Sequence, residues 1–159
     1  MSRTVIVNSG REGVLQTIRV GPHHLQADEP ADWGNDAGPN PYELLLAALG
    51  ACTSMTLRMY AGRKQWPLKG VQVRLGHSRS YVEDCAACDT KEAAVDQIDI
   101  ELTLTGNLSD GQRQRLMQIA DRCPVHRTLL GKIQIRMSLI APGASTDKQS
   151  RQDAQETSA

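Results

Sequence analysis

A chain of 159 residues is long enough for one domain with a real core. Its 18 Lys and Arg balance its 18 Asp and Glu, which leaves no electrostatic case for nucleic acid or an anionic membrane as partner. There is no Phe, with only two Trp and three Tyr, so Leu, Ile, Val and Met must fill the core.

The N-terminus shows no apolar signal segment and enters a strand-like run at once, so the expected location is cytoplasmic. In that reducing compartment the four cysteines are expected to be reactive, metal-bound or buried rather than structural bridges. Residues 4–7 are a β-branched run, 8–13 have the composition of a turn, and 14–20 read as a second strand, giving a hairpin with a loose loop. Gly21-Pro22 breaks it and 23–27 is a short third strand, where His23 and His24 read as a solvated pair. Residues 28–40, rich in Asp, Gly, Pro and Asn, form a surface loop.

A long helix is predicted over 41–64. Pro41 suits its first turn, where the missing N–H has no partner to lose. Residues 44–57 carry no charge. That run reads as too short to span a bilayer and as a helix covered on several sides. Trp66-Pro67 ends it. Residues 68–75 alternate, with Val71, Val73 and Leu75 on one face, and the strand can continue to 82. Residues 83–92 are polar and read as an exposed loop bearing Cys85 and Cys88. Ile98, Ile100, Leu102 and Leu104 then alternate with polar residues, as in a strand with one wet face.

After the Gly106-Asn107 turn, Ser109 and Gln112 have capping-box spacing and open a helix to about residue 122. Cys123-Pro124 interrupts it, Pro124 starts a short helix and Gly131 ends that one. Ile133, Ile135, Met137 and Leu139 give the last alternating strand. Residues 1–140 thus form a single domain. The polar tail, 141–159, has only Ala, Pro and Gly as apolar residues and is expected to be disordered. The fold class is α+β, with antiparallel strands around a long buried central helix. One thin sheet cannot cover such a helix, and a homodimer that shares its burial follows as an expectation.

The cysteines carry the candidate chemistry. Cys52, inside the apolar helix, is by itself either a small core hydrophobe or a reactive thiol. Cys123 precedes a proline at a helix start, where backbone N–H groups and the helix dipole favour a thiolate and Arg122, His126 and Arg127 add positive charge; it is equally a weak N-cap. Cys85-Ala-Ala-Cys88 is an inert loop, half a metal site or a redox dithiol. As a zinc site it would need two more ligands, with His77 and Asp84 or Asp89 as candidates.

Asn40-Pro-Tyr-Glu-Leu-Leu-Leu-Ala-Ala-Leu-Gly-Ala-Cys52, followed far downstream by Cys123-Pro-Val-His-Arg-Thr-Leu129, resembles the OsmC/Ohr family of thiol-dependent proteins, over about residues 1–140. The resemblance implies an intertwined homodimer with two sites at the subunit interface. It implies reduction of hydroperoxides, organic ones especially, with Cys52 as peroxidatic and Cys123 as resolving thiol. No cofactor is implied beyond an external dithiol reductant. The family's peroxidases carry an acid directly after the helix-starting Asn-Pro, paired with an activating arginine. Here Tyr42 stands in that position and the acid is Glu43. At about 3.6 residues per turn, Glu43 and Cys52 are roughly half a turn out of phase, so Glu43 is a weak substitute. Arg11 and Arg19, in the N-terminal hairpin, are the arginine candidates. Two alternatives stand beside the peroxidase reading: a dimer that binds a small hydrophobic ligand without strong peroxidase activity, and a zinc or redox site at Cys85 and Cys88.

Overall fold

The structure, a computed structural model, describes residues 3–81 and 94–139. The elements are strands β1 (Val5–Ser9), β2 (Gln16–Val20) and β3 (His23–Ala27), helix α1 (Pro41–Arg63), strands β4 (Leu68–Tyr81) and β5 (Ala94–Gly106), and helices α2 (Asp110–Ala120) and α3 (Pro124–Leu130). The α+β class with antiparallel sheets is as expected from the patterning.

The first three strands form an antiparallel sheet in the order β1-β2-β3. Gly21, at φ 59°, supports the sharp return that pairs Val20 with His23. The loop that follows is built around Asp28. Its buried carboxylate accepts the N–H groups of Glu29, Asn35 and Ala37 at 2.9, 3.0 and 3.2 Å. Gly34 has no room for a side chain, because a Cβ there would sit 2.5 Å from Asp28 Oδ1.

Helix α1 opens on a reciprocal cap. Asn40 Oδ1 accepts the Glu43 N–H at 2.9 Å, and Glu43 Oε2 accepts the Asn40 N–H at 2.8 Å. The helix covers one stripe of the core with Leu49, Gly50, Thr53, Leu57 and Ala61. At Gly50 the helix closes on β4, where an added Cβ would lie 2.8 Å from Leu75 Cδ1. Strands β4 and β5 form a long hairpin in register from Leu68↔Gly106 to Tyr81↔Ala94. Their inward residues, Val71, Val73 and Leu75 with Ile98, Ile100 and Leu102, are half-buried, and the alternate positions are exposed. Helix α2, capped reciprocally by Ser109 and Gln112, closes the core with Leu116, Ile119 and Ala120 against Leu57 and Ala61.

Two expectations need correction. At 23 residues α1 is long and apolar enough to cross a membrane, so its length does not argue against a span. What marks it as a domain helix is the packing of Leu49, Leu57 and Ala61, each at most 2 % exposed, inside the fold. The outer face of α1 is left open by the single chain, as expected of a helix under one thin sheet: Met55 and Met59 are 64 % and 67 % exposed. Finally, residues 133–139 pair with no other described strand, and Ile135, Met137 and Leu139 are almost fully exposed. Alternation sets which side chains share a face, but strand hydrogen bonds must come from a neighbour, and none is offered within the described residues. The expected loop at 83–92, with Cys85 and Cys88, and the tail at 141–159 lie outside the described residues.

Candidate functional site

The fold brings together Cys52 and Cys123, which are remote in sequence. Cys52 lies on α1 one turn beyond Leu49, and it is half-buried. Cys123 sits in the N-cap position of α3, between α2 and Pro124, and its side chain is fully buried. Both thiols are free, and they lie close enough for each to shift the acidity of the other.

The surroundings treat the two sulfurs differently. Burial, then the neighbouring Cys123 thiol, pushes the Cys52 thiol above its ordinary range; the Val125 N–H and the Thr56 hydroxyl offset this only in part. Burial also opposes charge on Cys123. There it is outweighed by the Cys52 thiol, the His126 N–H, the Thr53 hydroxyl and the Val125 N–H, which together hold Cys123 below the usual thiol range. These N–H groups favour the charge without forming a regular side-chain cap. Cys123 is therefore the more acidic member of the pair.

Thr53 is the residue that sequence reasoning passed over. It is 1 % exposed, and among the described residues its Oγ1 has no hydrogen-bond partner, the Cys123 sulfur included. An unpartnered buried hydroxyl costs about 1–3 kcal/mol. No local pattern flags it, since a Thr beside a Cys in an apolar helix looks like packing.

The other candidates fall elsewhere. Glu43 is held in the α1 cap. Arg11 lies exposed in the turn after β1, and Arg19 is exposed on β2 opposite Ile6 and His24. No arginine is among the main influences on either thiol within the described residues. Tyr42 stacks on His77, with ring centroids 4.6 Å apart and planes 15° apart. His77 Nε2 in turn lies 3.0 Å from Asp96 Oδ1. These three line one end of a pocket of about 350 Å³ walled by Leu45, Leu49, Ile98 and Leu129 and bounded by His126. His126 also borders a smaller hollow of about 80 Å³ that reaches Thr53. Among the described residues no group of three His, Cys, Asp or Glu side chains is placed to hold a metal.

A cysteine pair held between a central helix and a Cys-Pro turn, within antiparallel sheets, defines an α+β dithiol fold. Over residues 34–138 the chain matches the family model described as OsmC-like protein, and it belongs to that family. Solved structures agree on the fold. An OsmC-like protein from Mycoplasma pneumoniae superposes with a TM-score of 0.65 at 19 % identity, covering 82 % of this chain and 89 % of that one. An organic hydroperoxide resistance protein from Elizabethkingia anophelis gives 0.62 at 17 % identity over 84 % and 91 %. The organic hydroperoxide resistance protein OsmC from Legionella pneumophila gives 0.59 at 19 % identity over 82 % and 90 %. No curated protein sequence matches the chain.

Proposed function

We propose that this protein is a thiol-based hydroperoxide reductase that cycles Cys52 and Cys123 between dithiol and disulfide. The observation that carries the reading is the proximity of the two thiols, one partly exposed and one buried, with Cys123 the more acidic.

The half-exposed Cys52 attacks. Its proton passes to the Cys123 thiolate as its sulfur attacks the terminal peroxide oxygen. The O–O bond breaks, the alkoxide takes a proton from water and leaves as an alcohol, and Cys52 becomes a sulfenic acid. The Cys123 thiol then displaces water from that sulfenic acid and closes the disulfide. An external dithiol supplies two electrons and two protons to restore both thiols. The apolar walls beside Leu49 suit an organic peroxide better than hydrogen peroxide. The names of the Legionella and Elizabethkingia relatives support the same substrate class. A cytoplasmic location fits the need for thiol reductants.

The working unit in this reading is a homodimer. The open faces of β1, α1 and residues 133–139 are the surfaces that a second copy would cover.

Cys52→Ser is expected to abolish consumption of an organic hydroperoxide. Cys123→Ser is expected to allow one turnover and then stop at a sulfenic acid that a dimedone-type probe labels. Unchanged peroxide consumption by Cys52→Ser sinks the proposal. A second reading, binding of a small hydrophobic ligand, draws on the pocket by Tyr42 and His77. An apolar molecule retained in native mass spectrometry, with all thiols inert to peroxide, would favour it.

A further inference from the structure

We infer that Thr53 is a positioning residue: its hydroxyl supports the sulfur of Cys123 as the leaving group when an external dithiol opens the Cys52–Cys123 disulfide, so that the reductant attacks Cys52. This role rests on the thiol–disulfide cycle proposed above.

Three threonines in the helices make the argument. Thr56 gives its hydroxyl to the Cys52 carbonyl at 2.8 Å, and Thr128 gives its own to the Pro124 carbonyl at 3.0 Å. Both follow the usual habit of a helical threonine, which bonds one turn back. Thr53 does not. Its hydroxyl is buried without a hydrogen-bond partner among the described residues, and Thr53 borders the small hollow that Asp121 and His126, on either side of Cys123, also line. A hydroxyl kept free in the core is ready to donate where negative charge appears, and a charge-assisted bond is stronger than the neutral one forgone. The groups around Cys123 are Cys52 and Thr53 from α1 and the Val125 and His126 N–H groups from α3, with Asp121 and Arg122 in the turn before it.

Access points the same way. Cys123 is fully buried, whereas Cys52 is half-exposed. A thiolate of the reductant therefore bonds to Cys52 Sγ, the S–S bond breaks, and its electron pair leaves on Cys123 Sγ, where the Thr53 hydroxyl donates to it. The second thiol of the reductant then attacks its own sulfur in the mixed disulfide. Cys52 is released, the reductant closes to a cyclic disulfide, and its two protons end on the protein thiols. A leaving thiol stabilised as its anion departs faster.

The test starts from protein oxidised with diamide, which does not depend on peroxide chemistry. Reaction with glutathione, quenched in acid and mapped by peptide mass, is expected to place the adduct on Cys52. In stopped-flow reduction by dithiothreitol, Thr53→Val should open the disulfide about tenfold more slowly, the loss expected for one hydrogen bond to a charged sulfur. Thr53→Ser should react like the parent. The thiolate absorbance of reduced Thr53→Val in a Cys52→Ser background should appear at higher pH than in Cys52→Ser alone. The melting temperature of Thr53→Val should not fall, because a methyl replaces an unpaired hydroxyl. An adduct on Cys123, or a parent-like opening rate in Thr53→Val, overturns the role. Failure of diamide to form the Cys52–Cys123 bridge overturns the cycle as well. Bridge formation without any peroxide consumption overturns only the peroxidase reading.

Discussion

Asp28 shows how one side chain organises a loop whose composition reads only as irregular. Burial disfavours its charge, but the N–H groups of Ala37, Asn35 and Glu29 outweigh that and hold its carboxyl below the ordinary value. The sign follows from linkage. A carboxyl that is more acidic when folded stabilises the fold above its unfolded pKa of about 3.9, and this is lost as pH falls through the folded value. Thermal melts from neutral pH to about pH 3 should show the parent losing stability more steeply than Asp28→Asn, which has no charge to lose. Parallel curves would remove Asp28 from that role. Glu43 illustrates the opposite lesson. An acid next to a signature position invites a catalytic reading, yet its carboxylate closes the α1 cap.

At the level of elements, the caps and the core stripe decide stability. Ser109 accepts the Gln112 N–H and receives the Gln112 side chain on its own N–H, so α2 starts where the sequence signal says. Ser109→Ala should cost about 1 kcal/mol. Leu57, with no exposed surface, packs with Leu116 between α1 and α2, and Leu57→Ala should cost about 2–5 kcal/mol, enough to dominate any cap. Urea titrations of the two variants check the ranking. A Leu57→Ala loss no larger than the Ser109→Ala loss would mean that this core packs loosely.

At the scale of the whole molecule, the described residues leave several large apolar side chains open. Met55, Met59, Ile135, Met137 and Leu139 are all more than half exposed. Burying each such side chain fully is worth about 1.5–3 kcal/mol, so covering them together is of the same order as the entropy of association, about 4–15 kcal/mol. Light scattering at micromolar concentration should therefore give twice the chain mass. The double variant Ile135→Asp and Met137→Asp should shift it toward the single-chain mass. A monomeric parent would refute the dimer and leave the alternation at 133–139 without a purpose.

The elements were legible because their signals are local. Asn40 and Pro41 start α1, Ser109 and Gln112 start α2, Gly131 ends α3, and a period of two marks β4 and β5. The paired motifs around Cys52 and Cys123 likewise point to the OsmC-like family from the sequence alone. What the chain's order could not carry is proximity. The proximity of the two thiols, the hollow that Thr53 shares with Asp121 and His126, and the stack of Tyr42 on His77 each join elements remote in sequence, and only packing puts them in reach. The unequal treatment of the two sulfurs was decided there too, because burial and hydrogen-bond supply are properties of the folded surroundings and not of the residue.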